Sequence, residues 1–333
     1  MIAHGGRLDE AVARFGGTRG AWLDLSTGIG PTSYPIPELA KGAWRDLPDA
    51  NAYRDACEAI RGAVDAPVDA GISLGPGSQA HIQALPRIVR QQDVAIVGFT
   101  YMEHALAWQQ AGHRVFASDG LASAEATARV IVLVNPNNPD GRIHDPKELR
   151  ALARRLGQKG GLLVVDEAFG ETAPNASVAP DTGRDGLVVL RSLGKFYGLA
   201  GLRLGAMIGS PGLAALMNDL LGPWAVSGPA LAIGQAAWAD RTWRTRMQRK
   251  LKLAREEMET LLQEAGLTIE GGTDLFVLAS HPKAGAIWQL LAERHILVRS
   301  FARKPDWLRF GLPSGKVAQR RLARALQDAA LVV

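Results

Sequence analysis

The chain has 333 residues, 47% of them apolar and 21% charged, enough for two packed domains of ordinary globular composition. No apolar run reaches the roughly 18 residues that a membrane-spanning helix needs, residues 1–7 carry no apolar signal core, and the lone cysteine, Cys57, excludes an intrachain disulfide, in keeping with a reducing cytoplasm. The net charge of +5 suits an anionic ligand, but the densest basic run, Arg241, Arg244, Arg246, Arg249, Lys250 and Lys252, reads as a solvated helix face, and no zinc-ligand spacing or RNA-binding aromatic motif accompanies it, so neither a metal nor a nucleic acid is expected.

In chain order, residues 1–48 are rich in Gly and Pro and stand apart as an N-terminal segment, and residues 51–64 pattern as a helix. Leu74-Gly75-Pro76-Gly77-Ser78-Gln79 is a glycine turn entering a helix over 78–91. Free backbone N–H groups at such a helix start suit an anion; an ordinary N-cap by Ser78 is the simpler alternative. Short apolar runs at 94–98, 114–117, 130–135, 162–166, 187–191 and 204–209 read as strands, with helical patterns at 102–111 and 146–157. Continuous apolar strands separated by helices imply a mostly parallel sheet covered on both faces. Ligands of such sheets sit beyond the carboxyl ends of the strands. Asn138, Asp166, Ser192 and Lys195 fall at or just after those ends. A polar helix at 240–265 reads as a connector, followed by strands at 267–269, 274–279, 296–299 and 307–310 and helices at 284–294 and 316–328, a smaller α+β domain. The expected division is 1–48, 49–240 and 241–333.

The run Ser192-Leu193-Gly194-Lys195-Phe196-Tyr197, continuing to Arg203, places one lysine between apolar segments, with a hydroxyl before it and an arginine after it. Burial disfavours the ammonium and frees the amine as a nucleophile. A hydroxyl and a guanidinium fork suit a phosphate. The run resembles the lysine motif of fold-type-I pyridoxal-phosphate enzymes, the aspartate aminotransferase superfamily. That resemblance implies an α/β fold with a mostly parallel seven-stranded sheet and a smaller α+β C-terminal domain, a homodimer, and pyridoxal 5'-phosphate anchored on Lys195. It assigns Gly77, Ser78, Gln79, Ser192 and Arg203 to the phosphate. Tyr101, in Phe99-Thr100-Tyr101-Met102-Glu103-His104, would stack on the ring, with His104 as the second candidate. Asn138 would donate to the ring oxygen, and Asp166 would pair with the pyridine nitrogen, keeping the ring an electron sink. Arg309, in Trp307-Leu308-Arg309-Phe310-Gly311, resembles the arginine that grips the substrate carboxylate, and Arg299 is a second candidate for an anionic group. The chain departs from the pattern at Phe169, where aminotransferases of this group place a tyrosine, at Gly194, where relatives carry Ser or Thr, and at Leu47, where many carry a tyrosine.

His4-Gly5-Gly6, the segment Trp22-Leu23-Asp24-Leu25-Ser26-Thr27-Gly28-Ile29-Gly30-Pro31 and Tyr34-Pro35 resemble one subgroup, the L-threonine-O-3-phosphate decarboxylases of cobalamin biosynthesis. Phe169 fits that subgroup; Gly30 stands where relatives often have Asn. The resemblance implies a cytoplasmic carboxy-lyase acting on a small phosphorylated amino acid, with His4, Arg299 and Arg309 orienting it. Orientation selects which bond at Cα breaks, so an aminotransferase of the histidinol-phosphate type is the alternative. A non-catalytic binding module of the same fold is a third reading, opposed by the retained lysine.

Overall fold

A computed structural model describes residues 5–332. Its twelve described strands are, in chain order, β1 (Leu23–Leu25), β2 (Gly71–Gly75), β3 (Asp93–Val97), β4 (Arg114–Ser118), β5 (Val130–Val134), β6 (Leu162–Asp166), β7 (Leu187–Ser192), β8 (Gly205–Gly209), β9 (Thr268–Thr273), β10 (Phe276–Ser280), β11 (Ile296–Phe301) and β12 (Lys304–Gly311). They form two sheets, ordered β2-β8-β7-β6-β5-β3-β4 and β1-β11-β12-β10-β9. The chain correspondingly divides into a larger unit, Tyr34–Asn138 with Arg142–Thr245, and a smaller one, the residues up to Ser33 with Pro139–Gly141 and Arg246–Val333.

In the larger unit every strand pairing is parallel except those of β8, which runs antiparallel to both β2 and β7. The four strands β5 to β8 are buried along their whole length. That explains why they read as unbroken apolar runs rather than alternating ones. The buried Trp108, on the helix Glu103–Gln110, packs with Ile82, Leu85, Val94, Val132 and Leu190. Asp145 starts the helix Pro146–Gly157 by accepting the Lys147 N–H at 2.8 Å, with proline in the first turn; such a cap contributes about 1 kcal/mol. The helix expected over 78–91 stops at Ile88, with Pro86 inside it and Val89 already extended. Strand β2 escapes the sequence pattern because two glycines and a serine dilute it. Its glycines are needed for packing: a Cβ on Gly71 would lie 2.7 Å from the Ala214 Cβ, and one on Gly75 2.9 Å from His81.

In the smaller unit β1 pairs in parallel with β11, Leu23, Asp24 and Leu25 opposite Ile296, Leu297 and Val298. This pairing gathers the residues up to Ser33 into that unit, whereas composition alone set residues 1–48 apart. The remaining pairings are antiparallel, and β12 lies between β11 and β10. The helix Leu8–Phe15 lays Phe15 edge-on against Trp288, 5.8 Å between ring centres, and the Trp288 indole donates to the Val298 carbonyl at 3.0 Å. Among the described residues no helix is long and apolar enough to cross a membrane.

Candidate active site

The larger unit brings nine of the residues singled out above to the carboxyl-end side of its sheet or to the turns that follow. Asp166 is the last residue of β6 and only 3% exposed. A carboxylate in such a place is costly unless its oxygens are satisfied. Here Oδ1 accepts the Ala168 N–H at 2.9 Å, and Oδ2 lies 2.9 Å from His104 Nε2. The carboxylate only accepts, so Nε2 carries the proton. His104 therefore serves as a partner of Asp166 rather than as a second stacking ring, and it meets Tyr101 edge-on at 6.2 Å. The Tyr101 hydroxyl donates to Gln79 Oε1 at 3.2 Å, and Gln79 Nε2 donates to Glu103 at 3.2 Å. Burial pushes the Tyr101 phenol up to about 12, so it stays a neutral donor. The Gln79 side chain thus orients the tyrosine and leaves only its backbone to the turn.

Among the asparagines after β5, two have structural duties. Asn135 donates to the Ala176 carbonyl at 3.1 Å and accepts the His144 N–H at 2.9 Å. Asn137 accepts from the Thr100 hydroxyl at 2.6 Å and donates to the Phe99 carbonyl at 3.1 Å. Asn138, half-buried, is the one the sequence motif selected.

The glycine turn is closed by Arg203. Gly77 has φ +79°, and a Cβ there would sit 2.6 Å from Arg203 Nη2. That nitrogen donates to the Pro76 carbonyl at 3.3 Å, and Nη1 donates to Ala200 at 3.2 Å. A Cβ on Gly205 would overlap the Ser78 N–H. The Gly77 N–H is spent on the Gly75 carbonyl at 2.7 Å, and the helix Ser78–Ile88 starts beside the exposed Arg203 guanidinium, an arrangement that suits an anion. Ser192 ends β7 and is buried; Lys195 follows, half-buried, its Nζ 5.8 Å from the centre of the Phe169 ring. Among the described residues no group of His, Cys, Asp and Glu side chains is arranged to hold a metal ion.

Beneath these residues lies a buried ion cluster that sequence reading missed. Arg191 Nη1 pairs with Glu167 Oε2 at 2.7 Å and Nη2 with Glu171 Oε1 at 2.8 Å. Glu167 also accepts the Ser177 hydroxyl at 2.6 Å and the Val178 N–H at 2.8 Å. Burial alone would weaken the guanidinium as a cation, but Glu171 and Glu167 outweigh it and shift Arg191 upward. Glu167 adjoins Asp166 and Arg191 adjoins Ser192, so the cluster ties the ends of β6 and β7 together. The available signal was two charged residues at the ends of otherwise apolar strands.

Arg299 and Arg309 belong to the smaller unit, where they are register partners across β11 and β12. Arg309 is buried and its Nη2 donates to the Ser26 carbonyl at 2.8 Å. Burial first, and Arg299 second, push its pKa down to about 10 against the opposing pull of Asp24, which leaves it a cation at neutral pH. His4 lies outside the described residues.

A mixed sheet in this strand order, with a lysine after β7, an aspartate ending β6 and a glycine turn after β2, defines the class: the chain belongs to the family of class I and II aminotransferases, which it matches over residues 44–326. Within that family it is 45% identical to a threonine-phosphate decarboxylase of Sinorhizobium sp. and 41% identical to one of Pseudomonas aeruginosa, each time over 98% of this chain and 97% of the relative. Its backbone matches the crystal structure of histidinol-phosphate aminotransferase from Sinorhizobium meliloti in complex with pyridoxal-5'-phosphate with a TM-score of 0.84, over 97% of this chain and 94% of that one, at 22% identity. The fold is that of the fold-type-I pyridoxal-phosphate enzymes, as the lysine run implied.

Proposed function

We propose that this protein is a pyridoxal-phosphate-dependent carboxy-lyase that converts L-threonine-O-3-phosphate to (R)-1-amino-2-propanol O-2-phosphate for cobalamin biosynthesis. The observation that carries the reading is identity above 40% to two threonine-phosphate decarboxylases along nearly the whole chain. The residues present fit the cofactor. The turn at Gly77 has no space for a Cβ beside Arg203, and Asp166 is a buried acceptor already held by two donors. Bound there, pyridoxal phosphate supplies an electron sink for the bond that breaks at Cα. The turn Gly77-Ser78-Gln79 would hold its phosphate, with Ser192 and Arg203, once the Gly77 N–H is released from the Gly75 carbonyl. Tyr101 would cover a ring face, Asn138 would donate to the ring oxygen, and Asp166 would pair with the ring nitrogen. Lys195 would anchor the group through its amine and would be the residue to return a proton to Cα.

Arg309 and Arg299 take the carboxylate and the phosphate of the substrate, with His4 as a further phosphate ligand. Two guanidiniums set side by side, one of them buried, repel each other. A substrate bearing two anionic groups relieves that repulsion and fixes which Cα bond faces the cofactor. Phe169 fits the decarboxylase subgroup by resemblance, aminotransferases of this group placing a tyrosine at that position.

The test is incubation of the holoenzyme with L-threonine-O-3-phosphate. Release of CO2 without a 2-oxo acid is expected; turnover that requires a 2-oxo acid, with accumulation of pyridoxamine phosphate, would identify an aminotransferase instead. Replacement of Arg309 by Lys removes the two-pronged guanidinium, and one lost charged hydrogen bond costs about 1.5–3 kcal/mol, so KM is expected to rise roughly 10- to 100-fold in steady-state kinetics. Gly77→Ala forces a Cβ into Arg203 at positive φ. It is expected to weaken cofactor binding by about tenfold or more in a fluorescence titration, with far-ultraviolet circular dichroism unchanged.

The protein acts as a cytoplasmic homodimer in this reading. The lone, buried Cys57 suits a reducing compartment. Trp44, Leu47 and Trp224 are 60–70% exposed, and Trp224 lines a cleft with Pro48, Tyr53, Leu74 and Leu221. Apolar surface of this kind calls for a covering partner. Sedimentation equilibrium should return twice the 35.5 kDa chain mass.

A further inference from the structure

In the smaller unit a chain of polar contacts runs through Ser26, whose carbonyl holds the Arg309 guanidinium. The Gly6 N–H donates to Ser26 Oγ at 2.7 Å, and the Ser26 hydroxyl donates to Asp24 Oδ1 at 2.6 Å, which also accepts the Ser26 N–H at 2.9 Å. The Ser26 carbonyl accepts Arg309 Nη2. Ser26 is 2% exposed. Donor and acceptor roles are unambiguous, because the carboxylate cannot donate and the backbone N–H cannot accept. Bonds aligned head to tail in this way polarise one another.

The backbone is shaped to this contact from two sides. A Cβ on Gly5 would overlap the Ser26 carbonyl oxygen, the atom that Arg309 grips. Gly6 has φ +80°, and a Cβ there would sit 3.3 Å from Thr27 Cγ2. On the other side a Cβ on Gly311, two residues beyond Arg309, would overlap the Thr27 carbonyl oxygen. Both glycines of His4-Gly5-Gly6 are therefore demanded by the approach of the turn to Ser26 and Thr27.

We propose that Asp24 and Ser26 form a positioning clasp that holds the Gly5-Gly6 turn and the Arg309 guanidinium as one piece, so that loosening the turn also misaligns the arginine. The proposal rests on the reading of Arg309 as the carboxylate ligand. Ser26 touches neither substrate nor cofactor; it acts through the Arg309 guanidinium. A buried serine in an otherwise well-packed strand end would serve folding alone if the two ends were independent, and the clasp makes them dependent.

The experiment compares wild-type, Ser26→Ala and Ser26→Thr holoenzymes. In Ser26→Ala, KM for L-threonine-O-3-phosphate is expected to rise about tenfold with kcat within about threefold, the signature of lost binding. Hydrogen–deuterium exchange is expected to quicken in peptides covering residues 5–10 and 307–311 together, while the visible cofactor band and the rate of cofactor loss stay at wild-type values. Ser26→Thr keeps the hydroxyl and is expected to restore both readouts. Unchanged KM, or quickened exchange at 5–10 without 307–311, overturns the clasp. If Ser26→Ala does not fold, Asp24→Asn, which keeps an acceptor but drops the charge, is read by the same two measurements. A wild-type enzyme that does not turn over threonine phosphate counts against the substrate reading, and the exchange data then decide the clasp alone.

Discussion

A Lys195→Ala protein is expected to fold, to bind pyridoxal phosphate reversibly, and to turn over substrate roughly 10⁴-fold more slowly, the upper range for loss of a positioned proton-transfer group. The other lysines of the larger unit, Lys41, Lys147 and Lys159, are exposed, whereas Lys195 is half-buried. It sits in the turn that follows β7, whose last residue, Ser192, is buried and paired with Gly205 of β8, and the turn is closed by the Gly198 N–H donating to the Lys195 carbonyl at 3.1 Å. Phe169 lies against its Nζ, an apolar neighbour that discourages a stray solvated rotamer. No exposed lysine elsewhere in the unit has that setting, so none is placed to substitute. The check has two parts. Borohydride treatment should fix the cofactor to the peptide containing residues 192–203 in the wild type and to no peptide in the variant. Turnover by the variant at the wild-type rate would falsify the assignment of Lys195 whatever the labelling shows.

Much of this site was readable before any fold was known, because its residues sit where backbone pattern changes abruptly. Asp166 is the first charge after Leu162-Leu163-Val164-Val165, and Lys195 breaks an apolar stretch. The boundaries of β5, β6, β7 and β8 lie within a residue of the largely apolar runs that a sheet covered on both faces requires. Other features depend on which distant segments meet. Strand β1 has three residues, too few to show a period, and exists because β11 offers an edge to it. That Arg299 and Arg309 face each other is a consequence of the register between β11 and β12, which no spacing along the chain reveals. Gln79 was legible as part of a phosphate turn, but its side chain is committed to Tyr101 and Glu103, 22 and 24 residues away in sequence. His104 was legible as an aromatic three residues after Tyr101, yet its partner is Asp166, reached only once the helix Glu103–Gln110 packs on the sheet.

The same limit hid the Glu167–Arg191–Glu171 cluster, and it carries the second large effect. Replacing Arg191 by Met is expected to destabilise the protein by about 3–5 kcal/mol, because two buried carboxylates then lose the cation that faces them. Folded domains hold only about 5–15 kcal/mol in total, so the variant should be partly unfolded at moderate urea and melt well below the wild type. The loss falls on the cofactor site first. Glu167 and Arg191 are the residues next to Asp166 and Ser192, and Gly170 packs so tightly on the Arg191 guanidinium that a Cβ there would overlap Nη1. Lysine at this position keeps the charge but has one nitrogen for two carboxylates; Arg191→Lys should lose about 1.5–3 kcal/mol. Urea titrations of holo and apo forms separate the contributions. The holo form should lose more than the apo form if the cluster holds Asp166 and Ser192 in place, since a ligand that binds only the native site adds stability that grows with the logarithm of its affinity. Equal losses in the two forms would show that the cluster supports the fold without tuning the site.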